Sequence, residues 1–166
     1  MQLKSSPFPC SSCARHQPCC RNVDWHPIAV MPDEVDAFGE DNVVKLSDEV
    51  YVAKPVEKSN ACPQYSDGTC GLGKDRPAFC KAYPVLHDGE KWYLDAGCPT
   101  ASQSVFALAV GQEGFLKHFS RAFRLLADKG QAMQAVVQFR VDRWTAPLVI
   151  DLRGIPKSWL KKKDKE

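Results

Sequence analysis

Eight cysteines are the residues of this chain whose type and spacing best suit chemistry. Cys10, Cys13, Cys19 and Cys20 sit close together, and Cys62, Cys70, Cys80 and Cys98 follow. A thiolate is a soft, strongly donating ligand, so four thiols brought to one point suit zinc or an iron–sulfur cluster. Successive cysteines are separated by two, five, zero, 41, seven, nine and 17 residues. The pair Cys10 and Cys13 lets one turn present two thiolates to one ion. Cys19 and Cys20 are adjacent, so their side chains are expected to diverge, one as a ligand and the other stacking or serving a second site. His16 stands between Cys13 and Cys19, either as an imidazole ligand or, with thiols so abundant, as a supporting or solvent-facing group. Eight thiols suffice for two tetrahedral zinc sites, for two four-iron clusters, or for one site with cysteines to spare.

Other candidate chemistry is thin. Arg76 and Lys81 flank Cys80, where cations either lower the thiol pKa and offset a multi-thiolate charge or make surface ion pairs. His26, His87 and His118 are scattered and read as hydrogen-bonded side chains. Asp33, Glu34 and Asp36 read as helix-start charges, and Phe115, Phe119 and Phe123 as core. Gly71-Leu72-Gly73-Lys74 is too short to cradle a phosphate.

The 166 residues suit one domain, 1–166, with a modest core of its own. A formal net charge of +2 implies no general polyanion-binding surface, and the terminal run Lys161-Lys162-Lys163 reads as a solvated tail. Nucleic acid is therefore not an expected partner; a metal ion is. Nothing near Met1 resembles a secretory signal, and no segment approaches the roughly 20 apolar residues of a membrane span. The expectation is a cytoplasmic protein with no membrane partner, whose thiols stay reduced and serve metal before disulfides.

The elements that must position the thiols are short. Residues 1–9 read as a loose arm and 10–20 as a loop shaped by its ligands, with Val23, Trp25, Ile28 and Val30 available to cover the site. Pro32 to Phe38 predicts a short helix, with proline at its start, acids in its first turn and Gly39 as its stop. Val43–Leu46 and Val50–Ala53 predict a hairpin, and Val85-Leu86 with Trp92–Leu94 predict a second across Asp88-Gly89. Residues 54–84 are too rich in glycine and proline to be one regular element. After Cys98 the pattern turns helical, with a short helix before Gly111, an amphipathic helix near 112–128 covering the small sheet, and Gly130 as its stop. Residues 131–140 fit a helix or, by the alternation of Val137, Phe139 and Val141, a strand. Leu148–Ile150 reads as a short strand or plug. The expected fold class is α+β, a hairpin-containing cysteine-cluster half (10–99) packed against C-terminal helices (100–166).

The second cysteine group carries a resemblance. Cys62-Pro63, six residues, Cys70, five residues, Arg76-Pro77, two residues, Cys80, two residues and Tyr83-Pro84 together resemble the signature of the YkgJ-like cysteine-cluster family, a zinc- or iron-chelating domain. The N-terminal group resembles that family's CxxCxxCC cluster, with five residues in place of two between Cys13 and the Cys19–Cys20 pair, and with Lys81 where the family often has arginine. The likeness spans residues 10–99 and implies bound zinc or iron, possible as a 4Fe–4S cluster, held by Cys10, Cys13, Cys19, Cys20, Cys62, Cys70, Cys80 and Cys98. It implies little about a reaction. A similar cysteine-rich arrangement in iron–sulfur lysine N-methylases acting on flagellin supplies an enzymatic alternative, and a disulfide-stapled module is a third reading. The reading favoured from the sequence is a non-catalytic metal-binding protein.

Overall fold

The structure, a computed structural model, describes residues 18–96, 98, 113–143, 148–154 and 157. Pro18–Arg21 forms one helical turn, α1, where the sequence predicts irregular loop. Proline at its first position is preset in φ for a helix start, and one turn is enough to carry both Cys19 and Cys20. The helix expected over 32–38 is present as a 3₁₀ turn, Pro32–Glu34, running into α2, Val35–Phe38. Gly39 ends it at φ +96°, a conformation that side chains disfavour.

The first sheet is built from β1 (Ala29–Val30), β2 (Val43–Lys45) and β3 (Tyr51–Ala53). The expected hairpin pairs β2 with β3 antiparallel, Val44 opposite Val52, and β1 adds to the far side of β3. Residues 54–84 break into small pieces, as their prolines and glycines require. A tight hairpin of β4 (Tyr65–Ser66) and β5 (Thr69–Cys70) turns through Asp67 and Gly68. Both turn residues have positive φ, 49° and 80°, which matches the twist of a two-residue hairpin loop. A 3₁₀ turn, Gly73–Asp75, and helix α3, Ala78–Ala82, complete the stretch.

The second sheet lies at the centre of the C-terminal packing. β6 (Val85–His87) and β7 (Trp92–Leu94) pair across Asp88-Gly89 as predicted, and every residue of both strands is buried. β8, Leu148–Val149, returns from the C-terminal segment to pair with β7, so that segment completes the sheet. Helix α4, Glu113–Leu126, packs on α3 and β6, and helix α5, Gly130–Val141, packs on β6. Trp92 of β7 stacks on Phe123 at 4.7 Å and meets Phe119 edge-on at 6.1 Å, so the amphipathic helix covers this sheet as its pattern implies. His87 lies flat against Trp92 at 4.0 Å, with its Nδ1 3.0 Å from the Lys91 carbonyl. His118 of α4 lies with Nε2 3.2 Å from the Tyr83 carbonyl, and burial lowers its pKa. The protein is an α+β fold. The short helix expected before Gly111 falls outside the described residues.

Two readings of the C-terminal half change. Residues 131–140 are helical, and Met133, Val136, Val137, Arg140 and Val141 form the buried stripe of α5 at helical spacing, while Phe139 is exposed. Gly130 does not stop the preceding helix; it begins α5. A Cβ there would stand 2.2 Å from His87 Cδ2 and 2.6 Å from the Gly89 backbone nitrogen, so glycine permits the close approach of α5 to the β6–β7 turn. Gly130→Ala is therefore expected to destabilise the protein by about 1–3 kcal/mol through overpacking, read as a lowered urea midpoint at unchanged slope. An unchanged midpoint would show that the turn yields freely.

Candidate metal centre

Five of the six described cysteines come from four separate pieces of chain. Cys19 and Cys20 lie on α1, Cys62 precedes β4, Cys70 ends β5, and Cys80 sits within α3. Backbone bonds hold these pieces together. The Cys62 N–H donates to the Cys20 carbonyl at 2.7 Å and the Val23 N–H to the Asn60 carbonyl at 2.8 Å, which ties α1 to the segment entering β4. The Gly71 N–H donates to the Gln64 carbonyl at 2.8 Å, closing the base of the β4–β5 hairpin that carries Cys70. Glu34 fixes α3. Its carboxylate accepts from the Met31 N–H at 2.9 Å and from the Ala78 N–H at 2.7 Å, so one acid satisfies an otherwise orphaned donor at the start of each of two helices.

These pieces surround one cavity of about 40 Å³, whose lining includes Cys19, Cys20, Cys62, Cys70 and Cys80. Cys19 and Cys20 share that lining, against the expected divergence. A hydrogen bond from the Cys20 thiol is the main cause that brings the Cys19 pKa down to about 7, against the effect of burial. A thiol at that value is about half thiolate at neutral pH, the form that ligates metals. Burial instead pushes the Cys62 thiol up. Arg76 lines the cavity and donates from Nε to the Gly73 carbonyl at 3.1 Å. No disulfide joins any of the six described cysteines. Cys98 is buried in the turn after β7, where its N–H donates to the Asp95 carbonyl at 3.0 Å, and it is not part of this lining. Cys10, Cys13 and His16 fall outside the described residues.

Beside the thiols lies a group that the sequence did not single out. Arg140, from α5, is 2% exposed and its Nη1 donates to Asp95 Oδ2 at 2.5 Å. Its Nε donates to the Pro27 carbonyl at 3.0 Å, and its guanidinium lies 5.1 Å from the Phe79 ring centre and 5.4 Å from that of Tyr83. Burial works against the charge, and the neighbouring Tyr83 and Asp95 outweigh it, so its pKa is raised. Arg140 and Tyr83 both line the cysteine cavity, and Arg140 Nη2 and the Tyr83 hydroxyl have no hydrogen-bond partner among the described residues. A buried donor left so costs about 1–3 kcal/mol. The available signal was the helical stripe of α5, in which an arginine occupies a core position.

Trp25 does not cover the thiols as expected. It is 61% exposed and stacks on Arg143, whose Cζ is 4.5 Å from the indole centre and whose Nη1 donates to the Trp25 carbonyl at 2.6 Å. A second cavity, of about 210 Å³, is lined by Trp25, His26, Asp95, Arg140 and Arg143.

Five thiols line one small cavity, and thiols are the donor chemistry suited to zinc or iron. Among the described residues, however, no three His, Cys, Asp or Glu side chains are grouped as a metal ion requires, so the thiols line the cavity without meeting at one point. Among the described residues no helix is long and apolar enough to cross a membrane. No protein-family model matches the chain, and neither a curated protein nor a solved structure does.

The buried ion pair makes a direct prediction. Arg140→Met removes the buried cation facing the Asp95 carboxylate and is expected to cost about 3–5 kcal/mol. The double variant Arg140→Met/Asp95→Leu should recover much of that loss, as read from denaturant unfolding in a double-mutant cycle. Equal losses in the single and double variants would mean that the two charges are not coupled.

Proposed function

We propose that this protein is a non-catalytic cysteine-cluster metal-binding protein that chelates zinc or iron. The observation that carries the reading is the shared cavity: Cys19, Cys20, Cys62, Cys70 and Cys80 line one space although they come from four separate pieces of chain. Thiols gathered in this way are the donor chemistry of thiophilic metals, and each loses its proton on ligation. The resemblance to the YkgJ-like family supports the same reading, because Cys62, Cys70 and Cys80 of its motif are three of the five. Cys10, Cys13 and Cys98 complete the proposed ligand pool. An iron–sulfur methylase would in addition need a site for its methyl donor, and titration with S-adenosylmethionine separates that alternative.

Metal analysis tests the proposal. Protein purified anaerobically without added metal is expected to carry stoichiometric zinc, or iron with or without acid-labile sulfide, and a chelator should lower its thermal transition by removing folding energy supplied by the metal. Protein that holds neither metal, or that melts unchanged after chelation of a bound one, would contradict a metal-stabilised centre.

A further inference from the structure

Arg140 and Tyr83 belong to no ligand set, yet both line the thiol cavity and each carries a buried donor without a partner among the described residues. The guanidinium is held from three sides, by Asp95, by the Pro27 carbonyl and by the Phe79 and Tyr83 rings, which leaves only Nη2 without a partner among the described residues. Guanidinium nitrogens can only donate, and a phenol hydroxyl with no acceptor is equally incomplete. The neighbouring cavity wall offers thiols, which become strong acceptors once they are thiolates bound to a metal. Asp95 already neutralises the Arg140 charge, so the contribution of Arg140 is a directed hydrogen bond and its local field, not a net positive charge.

We infer that Arg140 Nη2 and the Tyr83 hydroxyl donate hydrogen bonds to the sulfur ligands of the bound metal, which makes helix α5 part of the metal centre. This rests on the metal-binding reading above. Both are positioning residues: the thiols bind, and these two donors orient the thiolates and draw electron density from them. Outer-shell donors of this kind typically change metal affinity by about 10- to 100-fold. The arrangement also explains why an arginine stands in the core stripe of a helix that lies outside the cysteine-rich half.

Tyr83→Phe tests the inference with little risk to folding, because the lost hydroxyl has no protein partner among the described residues. Zinc affinity of the full chain would be measured by competition with a chromophoric chelator, and Co²⁺ bound in place of zinc would report the sulfur-to-metal charge-transfer band. The expected result is a metal-free protein at least as stable as wild type, zinc affinity lower by on the order of 10-fold, and a charge-transfer band moved to lower energy. Arg140→Lys, which keeps a positive charge facing Asp95 and removes Nη2, should lower zinc affinity and move the band in the same direction. If Arg140→Lys does not fold, the tyrosine variant decides alone. Unchanged zinc affinity and an unchanged band in Tyr83→Phe would overturn the inference, as would a stability loss of the same size in the metal-free and metal-loaded forms. Wild-type protein that binds neither zinc nor Co²⁺ would overturn the metal-binding reading itself, and this inference with it.

Discussion

The Arg140–Asp95 ion pair is the interaction on which the arrangement of the two halves depends. Both side chains are 1% exposed, so each charge has lost its water and is offset chiefly by the other. The pair joins α5 to the turn after β7, and the Pro27 carbonyl brings in the segment before β1. The Phe79 and Tyr83 rings close over the guanidinium from α3 and the residue that follows it. One side chain from the C-terminal half thus joins α3, the turn after β7 and the segment before β1. A hydrophobic residue could fill the same space at lower desolvation cost, so retaining a charge there is best understood through the donor it presents to the cavity.

The apolar core is one cluster that runs from the cavity wall, through Ile28, Phe38 and Phe79, into the second sheet and its helices. β6 and β7 are wholly buried, and Trp92, Phe119 and Phe123 pack between sheet and helix. The cysteine-bearing pieces are instead one turn of helix, a two-residue hairpin and a five-residue helix, stitched by single backbone bonds and by Glu34. Pieces so short cannot be fixed strongly by their own hydrogen bonds. Cross-linking through a metal would supply the missing constraint, and this is why metal content and stability are expected to move together.

Much of this was legible from local rules. Asp88-Gly89 between apolar runs specified its hairpin, Pro32 with Gly39 bounded its helix, and the amphipathic pattern after residue 112 identified the helix over β7. The cysteines announced themselves by type. Their grouping did not, because adjacency says only that Cys19 and Cys20 differ in direction and not that a cavity reaches both. Gly130 was misread because a glycine after a helix usually ends it, whereas here it answers a tertiary demand set by His87 and Gly89. Arg140 was hidden for a related reason. A charged residue broke the apolar period of α5, and the flanking Val137, Phe139 and Val141 then alternated like a strand. Its partner, Asp95, is 45 residues away in sequence, and no local pattern joins the two.

X-ray absorption at the edge of the bound metal tests the central claim most directly. Scattering dominated by sulfur at about 2.3 Å, with that shell reduced when Cys62, Cys70 or Cys80 is replaced by serine, is the result expected if the cavity thiols are the ligands. A shell of oxygen and nitrogen at about 2.0–2.1 Å that is unaffected by those replacements would contradict it.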